Sequence, residues 1–224
     1  LCRQWEEIDF QAAHDLNEKL RSLCAKQLRV CNPKEAQKFY EAWRKSLLFD
    51  APYKFDAFMT YIELDRKPEK RFYAPRRHYL KPMVQGFQDI LDKKLRLLTI
   101  SMPKRAGKSQ TGINFVNMLS GKYPDRSTLM EGTGDDLVKS FYNGCLEYLI
   151  TPNEYLFYDV FPESRLVQTG ADTKIINLKS KSRFPTIMCR SIDARQVGLS
   201  EATNVLYLDD CVEGREEAKN RPRL

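Results

Sequence analysis

The sequence predicts an α/β fold in which a mostly parallel central sheet is flanked by helices, with a helical region at the N-terminus. Three observations support this class. The first third of the chain has helical periodicity alone, and helical and extended patterns alternate after residue 81. The basic loop "PKRAGKS" also separates an apolar extended run from a helical one. A chain of 224 residues can build one sizeable core, with or without a small appendage.

Composition favours a packed globular protein. Hydrophobic residues make up 42% of the chain and aromatic residues 11%, which is enough for a core. No apolar run reaches the roughly 18 residues of a membrane span, and the first residues do not read as a signal peptide. We therefore expect neither membrane association nor secretion. The net charge of +7 permits a polyanionic partner such as nucleic acid without establishing one.

The six cysteines show no C-x-x-C spacing, and the chain has only two histidines. A zinc site is therefore not expected. We expect reduced, mostly buried thiols, as in a cytosolic protein.

Residues 1–66 are predicted to form a helical subdomain. Five apolar residues at helical spacing indicate an amphipathic first helix. They are Trp5, Ile8, Ala12, Leu16 and Leu20. A second helix is predicted in "NPKEAQKFYEAWRKSLLF", with Asn32 as N-cap and Pro33 at the first helical position. A third is predicted in "YKFDAFMTYIELDR", and His14 is interpreted as a surface or capping residue.

Residues 67–82 are predicted to link this subdomain to a second unit. The stretch is dense in basic and aromatic residues and interrupted by prolines. It can be a solvated connector, or it can contact nucleic acid or a nucleotide. The residues that would make such a contact are Arg71, Arg76, Arg77 and Tyr79.

Residues 83–224 are predicted to form the α/β core. Helices are expected in "PMVQGFQDILDKK", "QTGINFVNMLSGKY" and "DDLVKSFYNGCLEYLI". Strands are expected in "LRLLTISM", "STLMEG", "TKIINLKS", "TIMCRSI" and "TNVLYLDD".

The loop between the first predicted strand and its helix resembles the phosphate-binding pattern G-x-x-x-x-G-K-[ST]. In such loops the backbone N–H groups at a helix start converge on an anion. Gly107 would let the backbone approach the phosphates, Lys108 would neutralise them, and the Ser109 hydroxyl would hold Mg²⁺. We therefore predict that ATP and Mg²⁺ bind here. The predicted nucleotide-binding loop residues are Pro103, Lys104, Ala106, Gly107, Lys108, Ser109 and Gln110.

Met102 occupies the position of the first glycine in the pattern. The replacement is tolerable only if the turn at this position needs no positive φ. Pro103 fixes its own φ and pushes Met102 toward an extended conformation. The loop is therefore expected to be a variant of the common form.

A metal carboxylate is expected at the end of a buried strand, and "NVLYLDD" supplies two. Its apolar run resembles a strand covered on both faces, and open α/β sheets bind ligands at the carboxyl ends of their strands. Asp209 is predicted to hold the metal through water. Asp210 is predicted to orient and deprotonate the attacking water. The alternative is a strand followed by a polar turn.

Three stretches resemble the large terminase subunits of bacteriophages, ATPases that pump DNA into viral procapsids. They are "YLKPMVQGFQDILDKKLRLLTISMPKRAGKSQ", "GTGDDLVKSFYNGC" and "QVGLSEATNVLYLDDCVEGREEA". The loop of that family commonly reads P-P-R-x-G-K-[ST], which this chain matches at Pro103, Arg105, Gly107, Lys108 and Ser109. Lys104 replaces the second proline. The resemblance spans about residues 72–218, roughly two-thirds of the chain.

The resemblance implies a RecA-like P-loop ATPase that drives double-stranded DNA into a procapsid. It places Lys108 and Ser109 on phosphate and Mg²⁺, and Asp209 on the metal. Asp210 takes the position of the catalytic carboxylate, which is usually Glu in the family. Arg105 matches the loop arginine that stabilises the γ-phosphate. Less specific expectations are adenine contacts by Gln85 or Gln88 and stacking of the base on Tyr79.

The resemblance also implies partners and a location. The partners are DNA, a portal protein and a small terminase subunit, with a homo-oligomeric ring in the host cell cytoplasm. A neighbouring subunit would supply an arginine, for which Arg183, Arg190 and Arg195 are candidates. Because only 14 residues follow Asp210, we expect a fragment truncated at its C-terminal end, without the nuclease domain of the family.

Two other functions fit the same residues. One is a different P-loop ATPase acting on nucleic acid, such as a helicase-like factor. The other is a non-catalytic nucleic-acid-binding module in which the Gly-Lys-Ser triplet is accidental. The basic and aromatic segment from Lys67 to Lys81 is what would favour the module.

Overall fold

The computed structural model describes residues 10–192 and 201–210, which form a mixed α/β fold with a five-stranded sheet and flanking helices. The helices are α1 (Phe10–Gln27), α2 (Pro33–Asp50), α3 (Phe55–Tyr61), α4 (Arg77–Leu91), α5 (Lys108–Lys122), α6 (Asp135–Ile150) and α7 (Phe157–Val160). The strands are β1 (Thr128–Gly132), β2 (Leu166–Gly170), β3 (Ile175–Leu178), β4 (Ile187–Ser191) and β5 (Val205–Asp209).

The sheet has the order β2-β3-β4-β1-β5. Strands β4, β1 and β5 are parallel, whereas β2 pairs with β3 and β3 with β4 in antiparallel fashion. The prediction of a mostly parallel sheet is therefore confirmed for this three-stranded core. An antiparallel hairpin extends the core on one side, and its first strand, β2, was not predicted.

The strand predicted in "LRLLTISM" is wrong. Residues 97–103 have no regular secondary structure, although they precede the loop as expected. A strand exists only where a neighbouring strand supplies hydrogen bonds. Within the described residues β5 pairs only with β1, and no strand lies hydrogen-bonded beside residues 97–103. The extended run is therefore left unpaired.

The contact between α1 and α2 is more polar than predicted. Leu16 and Leu20 of the predicted stripe are 65% and 40% exposed, and Trp5 and Ile8 lie outside the described residues. The α1 side chains that face α2 include Arg21 and His14. Both contact the fully buried Asp50, with Arg21 Nη1 at 2.6 Å and His14 Nδ1 at 2.8 Å from Oδ2.

His14 is therefore not a surface or capping residue. A carboxylate without solvent needs charged or hydrogen-bonding partners, and His14 is one of them. The start of α2 follows its prediction, because Asn32 Oδ1 accepts a hydrogen bond from the Glu35 N–H at 3.0 Å and Pro33 is the first helical residue.

The segment predicted as a linker packs against the rest of the protein. Tyr73 is 1% exposed and Leu80 is fully buried, in one core cluster with residues of α3, α5 and the sheet. The segment contains two short 3₁₀ turns, and α4 begins at Arg77 rather than at Pro82. This stretch therefore joins the helical region to the sheet.

The arginines of this segment have partners within the chain. Arg71 donates to the Leu64 and Arg66 carbonyls at 2.6 and 3.0 Å. Arg77 makes two hydrogen bonds to the Asp56 carboxylate, at 2.8 and 2.7 Å. The Arg76 guanidinium lies 5.2 Å from the centroid of the Phe72 ring. Contact of these arginines with nucleic acid stays a prediction.

Two further features concern the described residues alone. Cys24, Cys31, Cys145 and Cys189 are free thiols, and all but Cys31 are buried, as predicted for this group. None of the helices in the ranges 10–192 and 201–210 combines the length and hydrophobicity needed to cross a bilayer.

Gly112 sets the distance between α5 and β5. A Cβ built on Gly112 would lie 2.4 Å from Cζ and from the hydroxyl oxygen of Tyr207 in β5. The two elements that carry the site described below therefore approach each other at a position where only a hydrogen atom fits.

We expect Gly112→Ala to lower the free energy of unfolding by about 1–3 kcal/mol, because overpacking against Tyr207 outweighs the gain in helix propensity. Chemical denaturation measures the change. Gly86→Ala in α4 is the control, because its added Cβ meets only the movable end of Leu98 at 3.0 Å and should be neutral or stabilising. Equal effects of the two substitutions would contradict the close approach.

Candidate functional site

The loop before α5 turns through two residues in the left-handed region. Arg105 has φ 65° and Gly107 has φ 95°. Met102 is absent from the described residues with positive φ, which confirms that the turn needs no glycine there. The Ala106 N–H donates to the Pro103 carbonyl at 3.3 Å and closes the turn. The chain thus enters α5 without the first glycine of the common pattern.

Gly107 lies against the ring of Phe72. A Cβ at position 107 would stand 2.8 Å from Phe72 Cζ, so no larger residue fits between the loop and this ring. The backbone of Phe72 is fixed in turn by Glu63, whose carboxylate accepts hydrogen bonds from the Phe72 and Tyr73 N–H groups at 2.9 Å each. The segment at residues 67–82, which the sequence predicts as a linker, therefore supports the loop.

Asp209 lies at the centre of the site. The side chain of Asp209 is 2% exposed, and its Oδ1 lies 2.7 Å from Lys108 Nζ. The Ser109 hydroxyl donates to Oδ2 at 2.6 Å, and the Tyr207 hydroxyl is 3.4 Å from the same oxygen. The predicted adjacency of the loop and the acidic strand is confirmed by these contacts.

Asp210 is placed differently from its neighbour. Its side chain is 71% exposed, and its Oδ1 lies 3.5 Å from Lys108 Nζ. Its backbone has φ 44°, and its carbonyl accepts a hydrogen bond from the Thr133 hydroxyl at 2.7 Å. One carboxylate is therefore buried and fixed, while the next faces solvent beside the same ammonium group.

Electrostatics keep the donors around Asp209 protonated. The hydrogen bond to Asp209 raises the pKa of Lys108 above its ordinary value. Burial, together with the nearby Asp209 carboxylate, raises the pKa of Tyr207 well above its ordinary value. At neutral pH Lys108 is therefore an ammonium ion and Tyr207 a hydroxyl donor.

The oxygen atoms of Ser109 and Asp209 suit a hard cation that takes most of its ligands from water or phosphate. Within the described residues no group of three or more His, Cys, Asp or Glu side chains could hold a metal ion by itself. Ser109 Oγ and Asp209 Oδ2, 2.6 Å apart, are two oxygen donors at the mouth of a glycine-containing loop. Mg²⁺ uses one or two protein oxygens together with waters and phosphate oxygens, so these residues fit it.

Several predicted site residues make other contacts. Gln110 Nε2 donates to the Tyr148 hydroxyl at 3.1 Å, so its side chain points toward α6. Gln88 is structural, since it accepts from the Phe55 N–H at 2.7 Å and donates to the Tyr53 carbonyl at 3.0 Å. The Gln88 alternative for the adenine contact is therefore wrong.

The other predicted residues make no described contact with Asp209. Gln85 is exposed and donates to Asp89 at 3.0 Å, and Tyr79 is 40% exposed with its ring edge-on to His78. Lys104 and Arg105 are exposed on the loop. Of the proposed trans arginines, Arg183 lies 5.3 Å from the Phe184 centroid, Arg190 is in register with Glu131, and Arg195 lies outside the described residues.

Tyr207, Phe72 and Thr133 are site residues that sequence reasoning missed. Only Tyr207 has a sequence signal, since it stands two residues before Asp209 and the two therefore share one face of β5. Phe72 and Thr133 reach the site through tertiary packing, for which the local sequence carries no pattern.

No protein-family model matches the chain, and neither a curated protein nor a solved structure is significantly similar to it. Function is therefore inferred from the geometry of the site and from its motifs.

The left-handed backbone of Arg105 generates a stability prediction. In the left-handed region a residue with a Cβ carries about 1–2 kcal/mol of steric strain that glycine does not have. We expect Arg105→Gly to be more stable than Arg105→Ala by about 1 kcal/mol, less than that strain because glycine loses more entropy on folding. Chemical denaturation of the two variants, which both lack the guanidinium, isolates the backbone effect. An Arg105→Ala variant as stable as Arg105→Gly would contradict the assigned loop conformation.

Proposed function

We propose that this protein is a Mg²⁺-dependent ATPase with a RecA-like P-loop fold. The observation that carries the proposal is the contact of Lys108 and Ser109, at the start of α5, with the buried Asp209 at the end of β5. Phosphate loops work by pairing a helix N-terminus and its lysine with a carboxylate from a neighbouring strand. The alternative is a non-catalytic nucleic-acid-binding module with an accidental Gly-Lys-Ser triplet. It does not explain why Lys108 and Ser109 contact Asp209.

The loop and α5 bind the phosphates in this proposal. The first N–H groups of the 15-residue α5 lack partners within the helix and attract an anion, aided by the helix dipole. Gly107 lets the backbone approach the phosphates because no side chain intervenes. Lys108 exchanges its contact with Asp209 for one with the β- and γ-phosphates, which carry more negative charge.

Ser109 and Asp209 would hold the metal, the Ser109 hydroxyl directly and Asp209 through water. Their oxygens lie 2.6 Å apart, and the Tyr207 hydroxyl helps to keep Asp209 in its buried position. A bound Mg²⁺ would neutralise negative charge on the phosphate oxygens.

Asp210 and Arg105 act on the reacting groups. Asp210 is exposed and lies beside the Lys108 ammonium, so it can accept a hydrogen bond from a water and take its proton. Its side chain is one methylene shorter than the usual Glu, so that water must sit closer to β5. Arg105 extends from the loop into solvent, where its guanidinium can neutralise charge that develops on the γ-phosphate.

We further propose that the ATPase is the motor domain of a viral terminase large subunit that translocates double-stranded DNA. The support is the loop with Pro103, Arg105 and Gly107, together with the acidic pair that ends β5. Its partners would be a portal protein, a small terminase subunit and copies of itself in a ring. A helicase-like ATPase uses the same site and is distinguished by strand separation without packaging.

We expect Lys108→Ala to reduce ATP hydrolysis by at least about 100-fold, because the loss of a phosphate-stabilising charge costs orders of magnitude in rate. Phosphate release with and without DNA measures this effect. Lys45→Ala is the matched control, since it removes an exposed lysine of α2 that has no assigned part in the site. An unchanged rate for Lys108→Ala would remove the proposed function.

Asp210→Asn separates binding from catalysis in the same assay. It should retain nucleotide affinity, measured with a fluorescent ATP analogue, and lose turnover. Loss of affinity instead would assign Asp210 to binding rather than to proton transfer.

Binding of DNA should weaken steeply with salt, because phosphate contacts release counterions with a slope of about −0.9 per contact in log affinity against log salt. Fluorescence anisotropy with a labelled duplex at several salt concentrations measures the slope. An affinity independent of salt would contradict an electrostatic DNA contact.

A further inference from the structure

Three loops lie together at the end of the sheet where β1 and β4 begin. They are residues 124–126, 162–165 and 179–185. The Lys179 N–H donates to the Arg165 carbonyl at 2.7 Å, and the Thr186 hydroxyl, next to the third loop, donates to the Pro124 carbonyl at 3.0 Å. Because β5 runs parallel to β1, the candidate nucleotide site lies at the opposite end of the sheet.

Each of these loops carries an arginine whose guanidinium lies over an aromatic ring. The distances to the ring centroid are 4.5 Å from Arg126 to Tyr123, 4.5 Å from Arg165 to Tyr158 and 5.3 Å from Arg183 to Phe184. All three arginines are exposed. Within residues 10–192 and 201–210 none of them forms an ion pair, and the group donates one side-chain hydrogen bond, from Arg165 Nε to the Pro162 carbonyl at 3.1 Å.

Contact with a ring restricts an arginine while leaving most of its hydrogen-bond donors unused. A guanidinium has five N–H groups at its edge, and the ring meets the charged centre instead. That edge matches the spacing of two phosphate oxygens. A side chain that is already held in place also loses less conformational entropy when it binds an anion. The three arginines are therefore prepared for phosphate groups.

The arginines of residues 67–82 are engaged within the chain instead. Arg71 donates to two backbone carbonyls, and Arg77 donates to both carboxylate oxygens of Asp56. Arg76 donates to a backbone carbonyl at 3.0 Å. A phosphate that binds there has to compete with these acceptors. The three loops therefore fit a polyanion better than this segment does.

The charge of the three loops favours a row of phosphates. Two acids, Asp125 and Glu163, stand against five exposed basic residues, which we call the basic edge: Arg126, Arg165, Lys179, Lys181 and Arg183. None of the large hydrophobic side chains exposed in the described residues lies in these loops, so an apolar membrane anchor is missing here. Single-stranded DNA is bound largely by stacking of its bases on aromatic rings, and arginines already lie over these rings. The backbone of a duplex fits best.

We propose that the basic edge binds the phosphate backbone of double-stranded DNA. The inference rests on the proposed function, from which it takes the DNA partner. Helix α5 starts at the nucleotide loop and ends one residue before Tyr123, whose ring contacts Arg126. The Ser164 hydroxyl donates to the Gly121 carbonyl at 2.6 Å, so a second loop is fixed to the same end of α5. One helix thus connects the DNA surface with the nucleotide loop.

The test is the affinity of the full chain for a labelled duplex, measured by fluorescence anisotropy at several salt concentrations without nucleotide. We expect the double variant Arg126→Ala/Arg183→Ala to bind at least about tenfold more weakly. Its slope of log affinity against log salt should fall by about 1.8, since each lost phosphate contact removes about 0.9. Arg183→Lys should keep the slope and lose about two- to fivefold in affinity, because an ammonium group keeps the charge without the planar pair of donors.

Arg29→Ala is the matched control for the loss of a positive charge. Arg29 is exposed in the turn after α1, and its removal should leave both affinity and slope as in the parent. Arg76→Ala tests residues 67–82 and should weaken binding less than Arg183→Ala does. Circular dichroism and thermal unfolding check that each variant is folded.

Four results would overturn the proposal. They are unchanged affinity and slope in the double variant, an equal loss in Arg29→Ala, a larger loss in Arg76→Ala, and tighter binding of single-stranded DNA or of phosphatidylserine vesicles than of the duplex. Failure of the ATPase proposal is a separate result. An unchanged rate of ATP hydrolysis in Lys108→Ala would remove that proposal, whereas only the duplex measurements decide on the basic edge.

Discussion

The buried carboxylate of Asp209 is the constraint on which the site depends. A carboxylate that is 2% exposed is stable only with hydrogen-bond donors around it, and it receives three from different directions. Lys108 and Ser109 bring the start of α5 to it, and Tyr207 comes from its own strand. The same contacts fix the depth of α5 over the sheet, which the glycine at position 112 permits.

A second set of contacts holds the loop from the other side. Arg66 donates to the Tyr155 hydroxyl at 2.5 Å and lies 3.8 Å from Glu63, which fixes the backbone under Gly107. Tyr155 stacks at 4.0 Å on Tyr148, which accepts from Gln110 in the first turn of α5. Contacts from the helical region, from residues 67–82 and from α6 therefore converge on the loop before α5 and on its first turn. A change in the helical region can therefore be transmitted through these contacts to the loop before α5.

Local patterns predicted much of this structure. Helical periodicity predicted a helix in "DDLVKSFYNGCLEYLI", which is α6 at Asp135–Ile150, and the Asn32 cap predicted the start of α2. The rule that ligands bind at the carboxyl ends of parallel strands predicted that Ser109 and Asp209 lie together, although a hundred residues of chain separate them. The apolar run after Leu95 carried the pattern of a strand, but a strand also needs a neighbour, which no local pattern supplies. The contacts of Asp50 Oδ2 were missed because its partners, Arg21 and His14, lie about thirty residues away in sequence.

The contact of Lys108 with both acids determines the local charge of the candidate site. One ammonium faces two carboxylates, so these three groups together carry a net negative charge even though the protein as a whole is basic. For the proposed substrate, a bare polyphosphate would meet repulsion from Asp209 and Asp210. A polyphosphate already chelated to a divalent ion would instead deliver the counter-charge that both acids lack. Asp209 and Asp210 would then favour binding of the metal-chelated polyphosphate over the free anion before any hydrolysis takes place.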